Sequence, residues 1–380
     1  MKTAKKISAL ESVVSANNSF ALDFYRECVQ SEGNIFFSPY SISSALAMTY
    51  EGAKGSTAEE MEKVLHFPKK AGMRKGFMGL NSEINKGEKD YKLSTANALW
   101  AQHHYKNLKA YNKNVEIYYN REARNMDFAK DPEGSRNTMN TWVEDHTNKK
   151  IKDLIPQGVI DEATRLVLTN AVYFFSKWLK PFSKDRTYDA EFLTTTGKVD
   201  AKMMRFPEEQ HLNYAEKDNI QILELPYTGD EVSMLFLLPK LGEMGNLEKI
   251  LSVEKINEWR QILAKESVQA YIPKFKFTAK YSMAGTLSNM GMPTAFSGAA
   301  DFSGMTGKKD LQISQVIHQA FIDVNEESTE AAGATAVIIR CTSAMEPQYK
   351  TFMADHPFLF LIQQRKTGNI LFQGRMSNPS

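Results

Sequence analysis

A nearly uninterrupted apolar segment, Leu166–Phe175, constrains the fold of this 380-residue chain more than any other feature. Its β-branched and aromatic residues are typical of a strand, and the lack of polar alternation indicates that both faces of the strand are buried. A strand of this kind needs a covering layer on each side. The segment therefore predicts a large sheet with Leu166–Phe175 near its centre.

Other segments supply helices and strands around this centre. Apolar residues at helical spacing predict helices, and alternating runs bounded by turn residues predict strands and hairpins. The predicted helices are Ser15–Val29, Ser41–Glu51, Thr57–Leu65 and Asn137–Leu154; the strands are Leu93–Ala101, Val115–Tyr119, Ser267–Thr278 and Gln319–Val324; the hairpins join Ile220–Pro226 to Val232–Pro239 and Phe358–Gln363 to Ile370–Gly374. Because no repeat or linker interrupts the pattern, we expect one α+β domain over residues 1–380.

Composition and motifs argue against several functional classes. Forty-seven Lys and Arg nearly balance 45 Asp and Glu, and a net charge of +2 gives no electrostatic case for a nucleic-acid partner. The sequence has no zinc, phosphate-loop or nucleophile-elbow motif, and Cys28 and Cys341 are too far apart for a Cys-x-x-Cys motif. The adjacent His103 and His104 are better explained as a solvated turn than as metal ligands. We therefore expect neither an enzyme nor a cofactor or metal site.

The sequence also bears on the compartment. No window approaches the length of an uncharged membrane span, and Met1–Ser19 lacks the apolar run of a signal peptide. We therefore expect a cytoplasmic protein without membrane contact. Secretion by an unconventional route, or a leader removed before Met1, stays open as an alternative.

One connection in the chain is unusually long. It runs over Asn325–Pro357, and connections of this length inside a compact domain are uncommon and usually functional. Its composition alone favours a short Ala-rich helix after an acidic cap. As an extended chain, however, it has one uncharged face and places Glu330 and Arg340 on the other; the uncharged face consists of Thr329, Ala331, Gly333, Thr335, Val337 and Ile339. A segment linked like a loop but patterned like a strand predicts an element with two states.

Several motifs in order along the chain resemble those of the serpin family. They are the hinge segment Phe321–Thr335; the core-helix segments Asn34–Ser43 and Gly52–Thr57; Thr169–Phe175 of the central strand, with Lys177-Trp178 and Pro181-Phe182; and Ala354–Phe358 with Gly374-Arg375 of the C-terminal hairpin. The sequence is most similar to the intracellular, ovalbumin-type branch. The resemblance implies a single-domain fold with a large central mixed sheet, two smaller sheets, about eight to nine helices and an exposed reactive-centre loop at about 326–347.

The resemblance also implies a function, namely inhibition of a serine protease by a monomer that is itself a suicide substrate. In the family, the protease forms an acyl-enzyme at one bond of the loop. The cleaved loop then inserts into the central sheet as a new strand before water can release the protease.

The motifs assign roles to individual residues by resemblance. The family's spacing from Glu326 puts the reactive bond at Thr342–Ser343, which favours an elastase-like or chymotrypsin-like target. Arg340 and Cys341 are alternative positions, and Arg340 would suit a trypsin-like protease. The hinge, where the loop begins, comprises Glu326, Glu327, Ser328, Thr329, Glu330, Ala331, Ala332, Gly333, Ala334 and Thr335.

Two further clusters are implied around the central sheet. In the breach, where the loop enters the sheet, Lys274 should pair with Glu326 near Trp178. In the shutter, beneath the strands that separate, the side chains of Ser38, Ser41, Asn170 and His318 should form a cluster. Ser328 departs from the family, whose inhibitory members favour Gly there, and its lower backbone freedom predicts slower insertion.

Two alternatives to serine-protease inhibition stay open. The first is a non-inhibitory serpin that acts as a carrier or chaperone, although the small residues of Ala331–Thr335 and the uncharged Thr329 argue against it. The second is cross-class inhibition of cysteine proteases. A glycosaminoglycan site is not expected, because a solvated face explains the nearby basic residues better; these are Lys69, Lys70, Arg74 and Lys75.

Overall fold

Helices dominate the first part of the chain, and strands dominate the rest. The computed structural model describes residues 7–30, 32–85, 89–119, 123–329 and 349–380. The helices are α1 (Ala9–Cys28), α2 (Pro39–Gly52), α3 (Gly55–Val64), α4 (Lys70–Asn85), α5 (Lys109–Asn114), α6 (Pro132–His146), α7 (Met244–Ile250), α8 (Val253–Gln261), α9 (Ala284–Asn289) and α10 (Ser303–Thr306), with a π-helical turn at Val115–Tyr119 and 3-10 turns at Lys184–Arg186 and Pro293–Phe296. The strands are β1 (Ile35–Phe37), β2 (Tyr91–Gln102), β3 (Ala123–Met126), β4 (Leu166–Lys177), β5 (Tyr188–Thr194), β6 (Gly197–Arg205), β7 (Gln210–Lys217), β8 (Ile220–Pro226), β9 (Val232–Pro239), β10 (Ala264–Pro273), β11 (Phe275–Ser282), β12 (Gln315–Val324), β13 (Ser328–Thr329), β14 (Lys350–Met353), β15 (Phe358–Gln364) and β16 (Ile370–Met376).

The apolar segment at Leu166–Phe175 lies within β4, at the centre of a mixed six-stranded sheet. The strand order is β11-β12-β4-β2-β3, and the short β13 also pairs with β4. β12 runs parallel to β4 and β2 runs parallel to β3, whereas the other pairs are antiparallel. The predicted α+β class and the predicted central strand are therefore confirmed.

The second sheet differs in arrangement from the two smaller sheets that we expected. It has ten strands in the order β1-β16-β15-β9-β8-β7-β10-β6-β5, with β14 added to β10. β10 joins what would otherwise be two sheets, because its first half pairs with β7 and its last residues pair with β6. The central mixed sheet is thus the smaller of the two.

β4 is buried on both faces because it lies between two layers. On one face, Tyr173 and Val167 share an apolar cluster with Met139 and Val143 of α6. On the other face, Phe174 packs toward the ten-stranded sheet, where its ring centroid lies 5.9 Å from that of Phe372. Alternate side chains of one strand therefore serve two different cores.

Three local predictions were wrong in type or extent. Val115–Tyr119 is a π-helical turn rather than a strand, and its buried residues Val115 and Tyr119 are four apart, which is the spacing of a helix face. Ser267–Thr278 is divided at Lys274 between β10 and β11, which belong to different sheets. The helix predicted at Asn137–Leu154 is displaced to α6, because Asp131 caps its start and Pro132 fits its first turn.

The part of the chain that the structure describes also contains more helices than expected. The additional ones are short, such as α5, α9 and α10, which have six, six and four residues. Segments of this length are too short for an apolar period to be visible in sequence. No described helix has the length and apolar character needed to cross a membrane.

The C-terminal hairpin formed by β15 and β16 is held against the first helix. Asn17 Nδ2 of α1 donates hydrogen bonds to Asn369 Oδ1 and to the carbonyl oxygen of Ile370, both at 2.9 Å. Asn18 Nδ2 donates to the carbonyl oxygen of Gly368 at 2.8 Å. These buried amides connect the two ends of the chain in one core.

Candidate functional site

The candidate site lies at one end of the six-stranded sheet, where β4 and β12 separate. β12 pairs in parallel with β4 from Gln315 opposite Val167 to Phe321 opposite Tyr173. Beyond that pair, β12 continues along β11 as far as Val324, and β4 continues to Lys177. The two strands therefore leave an opening between them at this end of the sheet.

The first residues after β12 turn back into this opening. The Asn325 N–H donates to the carbonyl oxygen of Ser328 at 3.0 Å, and Asn325 Oδ1 accepts from the Ser328 N–H at 3.2 Å. After the turn, Ser328 pairs with Lys177 and Thr329 pairs with Ser176, antiparallel to β4. The chain thus begins a new strand beside β4 at the position where the sequence predicts the hinge.

The departure at Ser328 has a structural explanation. Ser328 is fully buried, and its hydroxyl lies 3.5 Å from Asn325 Oδ1. Ser328 is not among the residues with a positive φ, so the turn does not require the conformational freedom of glycine. The slower insertion expected from this substitution stays a prediction.

Glu326 is held by the breach pair that the resemblance implies. Glu326 Oε2 lies 2.9 Å from Lys274 Nζ, and Thr187 Oγ1 donates to Glu326 Oε1 at 2.7 Å. Burial on its own would raise the pKa of the Glu326 carboxyl, but the hydrogen bonds from Lys274 and Thr187 lower it below its usual value. The carboxylate is therefore charged and anchored at the point where the chain turns.

Trp178 anchors the same turn through its backbone and its ring. The Trp178 indole N–H donates to the carbonyl oxygen of Asn325 at 2.9 Å. The Trp178 backbone N–H donates to the carbonyl oxygen of Glu327 at 3.0 Å. The ring is stacked on Tyr227, with centroids 4.6 Å apart. The carboxylate of Glu327 forms an ion pair with Lys184. Sequence analysis missed Thr187 and Lys184, because neither belongs to a motif near the hinge.

The shutter residues form a buried hydrogen-bond network between α2, β4 and β12. The Ser38 N–H donates to His318 Nε2 at 3.1 Å, and His318 Nδ1 contacts Asn170 Oδ1. Asn170 Nδ2 donates to Ser41 Oγ at 2.8 Å. The structure thus brings together all of the residues predicted for this cluster; they are Ser38, Ser41, Asn170 and His318.

One further member of the network was not predicted. Asn97 of β2 accepts from Asn170 Nδ2 at 2.6 Å and from Ser41 Oγ at 2.9 Å. Its position opposite Asn170 in the β2–β4 pairing was the only signal available, and it depends on a strand register that sequence does not reveal.

Burial fixes the protonation state of His318. The side chain is inaccessible to solvent, and this burial lowers the pKa of its imidazole to about 3, against the opposing effect of the hydrogen bond with Asn170. Because Nε2 accepts from the Ser38 N–H, the single ring proton lies on Nδ1 and is donated to Asn170. The imidazole is therefore neutral and joins β12 to β4.

The remaining predicted residues of the loop lie outside the described residues. These are the hinge positions Glu330, Ala331, Ala332, Gly333, Ala334 and Thr335, and the reactive-bond positions Arg340, Cys341, Thr342 and Ser343.

The basic residues near α4 are largely engaged within the protein. Lys69 pairs with Glu62 at 2.7 Å. Lys70 Nζ donates to the carbonyl oxygens of Glu51 and Ala53 at 3.0 and 2.7 Å, and Arg74 pairs with the Glu51 carboxylate. Lys75 is exposed.

The described residues also contain no group of three or more side chains suited to a metal ion. His103 and His104 are both exposed, as expected for a solvated turn.

Comparisons with known proteins agree with this geometry. The family model for serpins (serine protease inhibitor) matches residues 15–379. An uncharacterised serpin-like protein of Methanosarcina acetivorans is 42% identical, over 97% of this chain and 88% of its own length. Leukocyte elastase inhibitor of Bos taurus, a member of the branch that the sequence resembles most, is 40% identical over 97% of this chain and all of its own length.

A solved structure shows the same fold. Human thyroxine-binding globulin, in complex with thyroxine, superimposes with a TM-score of 0.89 at 32% identity and covers 98% of this chain and 100% of its own. The strand opening, the hinge turn and the shutter network occur in a chain that the family model matches almost from end to end. The protein therefore belongs to the serpin family.

Proposed function

We propose that this protein inhibits serine proteases by trapping them as covalent acyl-enzymes. The observation that carries the proposal is the position of β13, which enters the opening between β4 and β12 and already pairs with β4 in an antiparallel direction. A strand that continued β13 would separate the parallel strands β4 and β12 and lie antiparallel to both. One parallel ladder would be replaced by two antiparallel ladders, which are slightly more stable per residue.

The register of β13 supports insertion of the uncharged face. Ser328 lies opposite Lys177 and Thr329 opposite Ser176. If an inserted strand kept this register, Thr335 would lie opposite Asn170 in the shutter. Thr329 and the alternate residues after it would then face the ten-stranded sheet, as Phe174 does. Glu330 and Arg340 would face the side of α6, where charged ends can reach water.

The preferred target is an elastase-like protease. Two observations support this: Thr342 is a modest side chain before the proposed reactive bond, and a relative that is 40% identical is named for elastase inhibition. Chymotrypsin-like proteases are the next candidates. A trypsin-like protease would cut after Arg340 and shorten the inserted strand, so we expect it to be a poorer target.

The test is the formation of an adduct. The protein is incubated with elastase-like, chymotrypsin-like and trypsin-like proteases, and denaturing gels are examined for a species with the summed mass of protease and inhibitor. Mass spectrometry of the released C-terminal fragment should give Ser343 as its first residue. Complete cleavage by every protease of the panel, with no adduct, would overturn the proposal.

A carrier function is the second candidate, supported by the similarity to thyroxine-binding globulin. A cavity of about 420 Å³ lies beside α8 and is lined by Asn213, Glu224, Asn257, Arg260, Gln261, Leu263 and Arg365. Its lining is polar, whereas pockets for drug-sized ligands are predominantly apolar. A thermal shift with thyroxine, together with absence of adducts, would favour the carrier function.

A further inference from the structure

The last closed residue pair below the opening carries a cluster of two aromatic rings and two lysines. Tyr173 of β4 and Phe321 of β12 lie opposite each other, with ring centroids 6.1 Å apart. Lys150 Nζ lies 5.9 Å from the centroid of Tyr173 and 6.0 Å from that of Phe321. Lys276 Nζ lies 5.6 Å from the centroid of Phe321. We call these four residues the latch cluster.

The latch cluster joins elements on both sides of the line along which the sheet would open. Lys150 follows α6, whereas Lys276 belongs to β11 and also pairs with Asp323 at 3.1 Å. A lysine ammonium within about 6 Å of a ring centroid is attracted to the ring face. Because Lys150 lies over one ring from each strand, its charge favours the arrangement in which β4 and β12 are adjacent.

We propose that the latch cluster controls how fast a strand enters between β4 and β12. The inference rests on the proposed function, because it concerns the insertion step of that mechanism. A strand that extends β13 along β4 meets the Tyr173–Phe321 pair as the first closed pair of the sheet. Lys150 is therefore a positioning residue of the insertion step and influences whether a bound protease is trapped or released.

The geometry explains why Lys150 stabilises the closed sheet more than the opened one. Adjacent strands lie about 4.8 Å apart, so one inserted strand would roughly double the separation of Tyr173 and Phe321. Lys150 could then remain over one ring but could not lie over both. Its removal should consequently weaken the intact form more than the inserted form.

The experiment measures insertion without a protease. A synthetic peptide with the sequence of residues 329–342 is added to the intact protein, and its entry into the sheet is followed by the increase in thermal stability of the complex. Lys150→Met keeps most of the apolar stem and removes the charge, so we expect the peptide to enter about 2- to 5-fold faster. The peptide should enter the Lys150→Arg variant at the wild-type rate, because arginine keeps the positive charge.

A matched control uses Lys152, an exposed lysine of the same segment. Lys152→Met should leave the rate of peptide entry unchanged, because of these two lysines it is Lys150 that lies over the rings. In Phe321→Leu the ring is absent, so the further substitution Lys150→Met should have a smaller effect than in the wild type. The Tm of the intact Lys150→Met variant should fall below that of the intact wild type, whereas the Tm of its cleaved form should fall less relative to the cleaved wild type.

The outcomes separate the two proposals. If the wild type accepts the peptide and Lys150→Met accepts it no faster than Lys152→Met, the role of the latch cluster is wrong while the proposed function stands. If Lys150→Met lowers the Tm of the intact and cleaved forms equally, the lysine is merely structural and the inference is again overturned. If the wild type neither accepts the peptide nor forms an adduct, the proposed function itself fails.

Discussion

In the shutter and in the breach, the surroundings of single side chains determine their charge state. His318 is neutral because it is buried and because its two ring nitrogens have one donor and one acceptor as partners. Glu326 is charged because Lys274 and Thr187 hydrogen bond to it. Because the charge states of His318 and Glu326 differ in how strongly folding favours them, the free energy of unfolding should change with pH and with substitution of either residue, and the sign of each change can be predicted.

Acid should destabilise the protein through His318. The unfolded chain protonates this histidine near pH 6.5, but the folded protein does so only near pH 3, so the unfolded state binds more protons between these values. Stability at pH 5 should therefore be about 2 kcal/mol lower than at pH 7 from this group alone. Urea unfolding across this range should show a shallower pH dependence in His318→Gln.

His356 provides a control of opposite sign. Burial would lower the pKa of its imidazole, but the Asp355 carboxylate and the Pro239 carbonyl raise it above its usual value. The folded state therefore binds this proton more tightly than the unfolded state, and His356→Gln should steepen the loss of stability in acid. Equal pH dependence in the wild type and His318→Gln would contradict the role assigned to His318.

The pair of Glu326 and Lys274 should stabilise the intact form. Glu326→Gln removes a largely buried carboxylate that Lys274 and Thr187 contact, and we expect the free energy of unfolding to fall by about 1–2 kcal/mol, since Lys274 is partly exposed. Lys274→Met should have a similar effect, and the double variant should be less destabilised than the sum of the two. Strict additivity in chemical denaturation would show that the two groups do not interact.

At the scale of elements, the two-residue strand β13 connects the sequence pattern to the mechanism. Its pairing with Ser176 and Lys177 sets a register in which Thr329 begins the uncharged face of the loop. The face assigned from sequence by alternation and the face assigned by continuing this register agree. Charge placed on this face should therefore oppose insertion.

Thr329→Arg should convert the protein from an inhibitor into a substrate. An inserted strand would then carry a guanidinium into the interior, which is strongly unfavourable without a partner. Glu330→Arg is the matched control, because it changes a charge on the opposite face. We expect cleaved protein without adduct for Thr329→Arg and retained adduct for Glu330→Arg on denaturing gels. Adducts of equal yield in both variants would refute the register.

The elements that sequence predicts best are those with a strong period or motif. β4 was recognisable because burial on both faces removes polar residues, and α2 was recognisable because its apolar residues recur at helical spacing. Val115–Tyr119 was misassigned, because five residues of mixed character suit a strand and a helical turn equally. The joining of two expected sheets through β10 was not predictable, because it depends on pairings between residues distant in sequence.

The candidate site also contains some residues that could be predicted from the sequence and others that could not. Residues that match the family's shutter cluster, such as Asn170 and His318, came from resemblance, whereas Asn97 and Thr187 required the folded structure. The cluster of Lys150 with Tyr173 and Phe321 also has no sequence signal, since rings and cations so far apart in the chain meet only after the sheet forms.

For the whole molecule, the proposed mechanism predicts that the intact form is not the most stable arrangement of this chain. A new strand of about a dozen ladder hydrogen bonds, each contributing ~0.5–1.5 kcal/mol, is comparable with the ~5–15 kcal/mol stability of an ordinary domain. Cleavage in the loop should therefore release a large stabilisation that the covalently continuous chain cannot reach.

Cleavage by a target protease should raise the Tm by roughly 8–20 °C, since each kcal/mol shifts the Tm by roughly 1.3 °C in a protein of this size. The measurement is thermal unfolding by circular dichroism of the intact and the cleaved protein. Cleaved Thr329→Arg serves as the control and should gain less. An unchanged Tm, without new hydrogen-exchange protection along β4, would rule out insertion.

The position of the C-terminal hairpin has a consequence for biosynthesis. β15 and β16 lie in the interior of the ten-stranded sheet, between β9 and β1, and Asn17 of the first helix bonds to the turn that joins them. The ribosome synthesises Phe358–Met376 after the strands β1 and β9 that flank this hairpin in the sheet. The ten-stranded sheet therefore cannot be completed until the C-terminal hairpin has been made. Premature termination upstream of this segment would expose the apolar residues of β1 and β9 that the hairpin normally buries, and such a product should depend on chaperones to stay unaggregated.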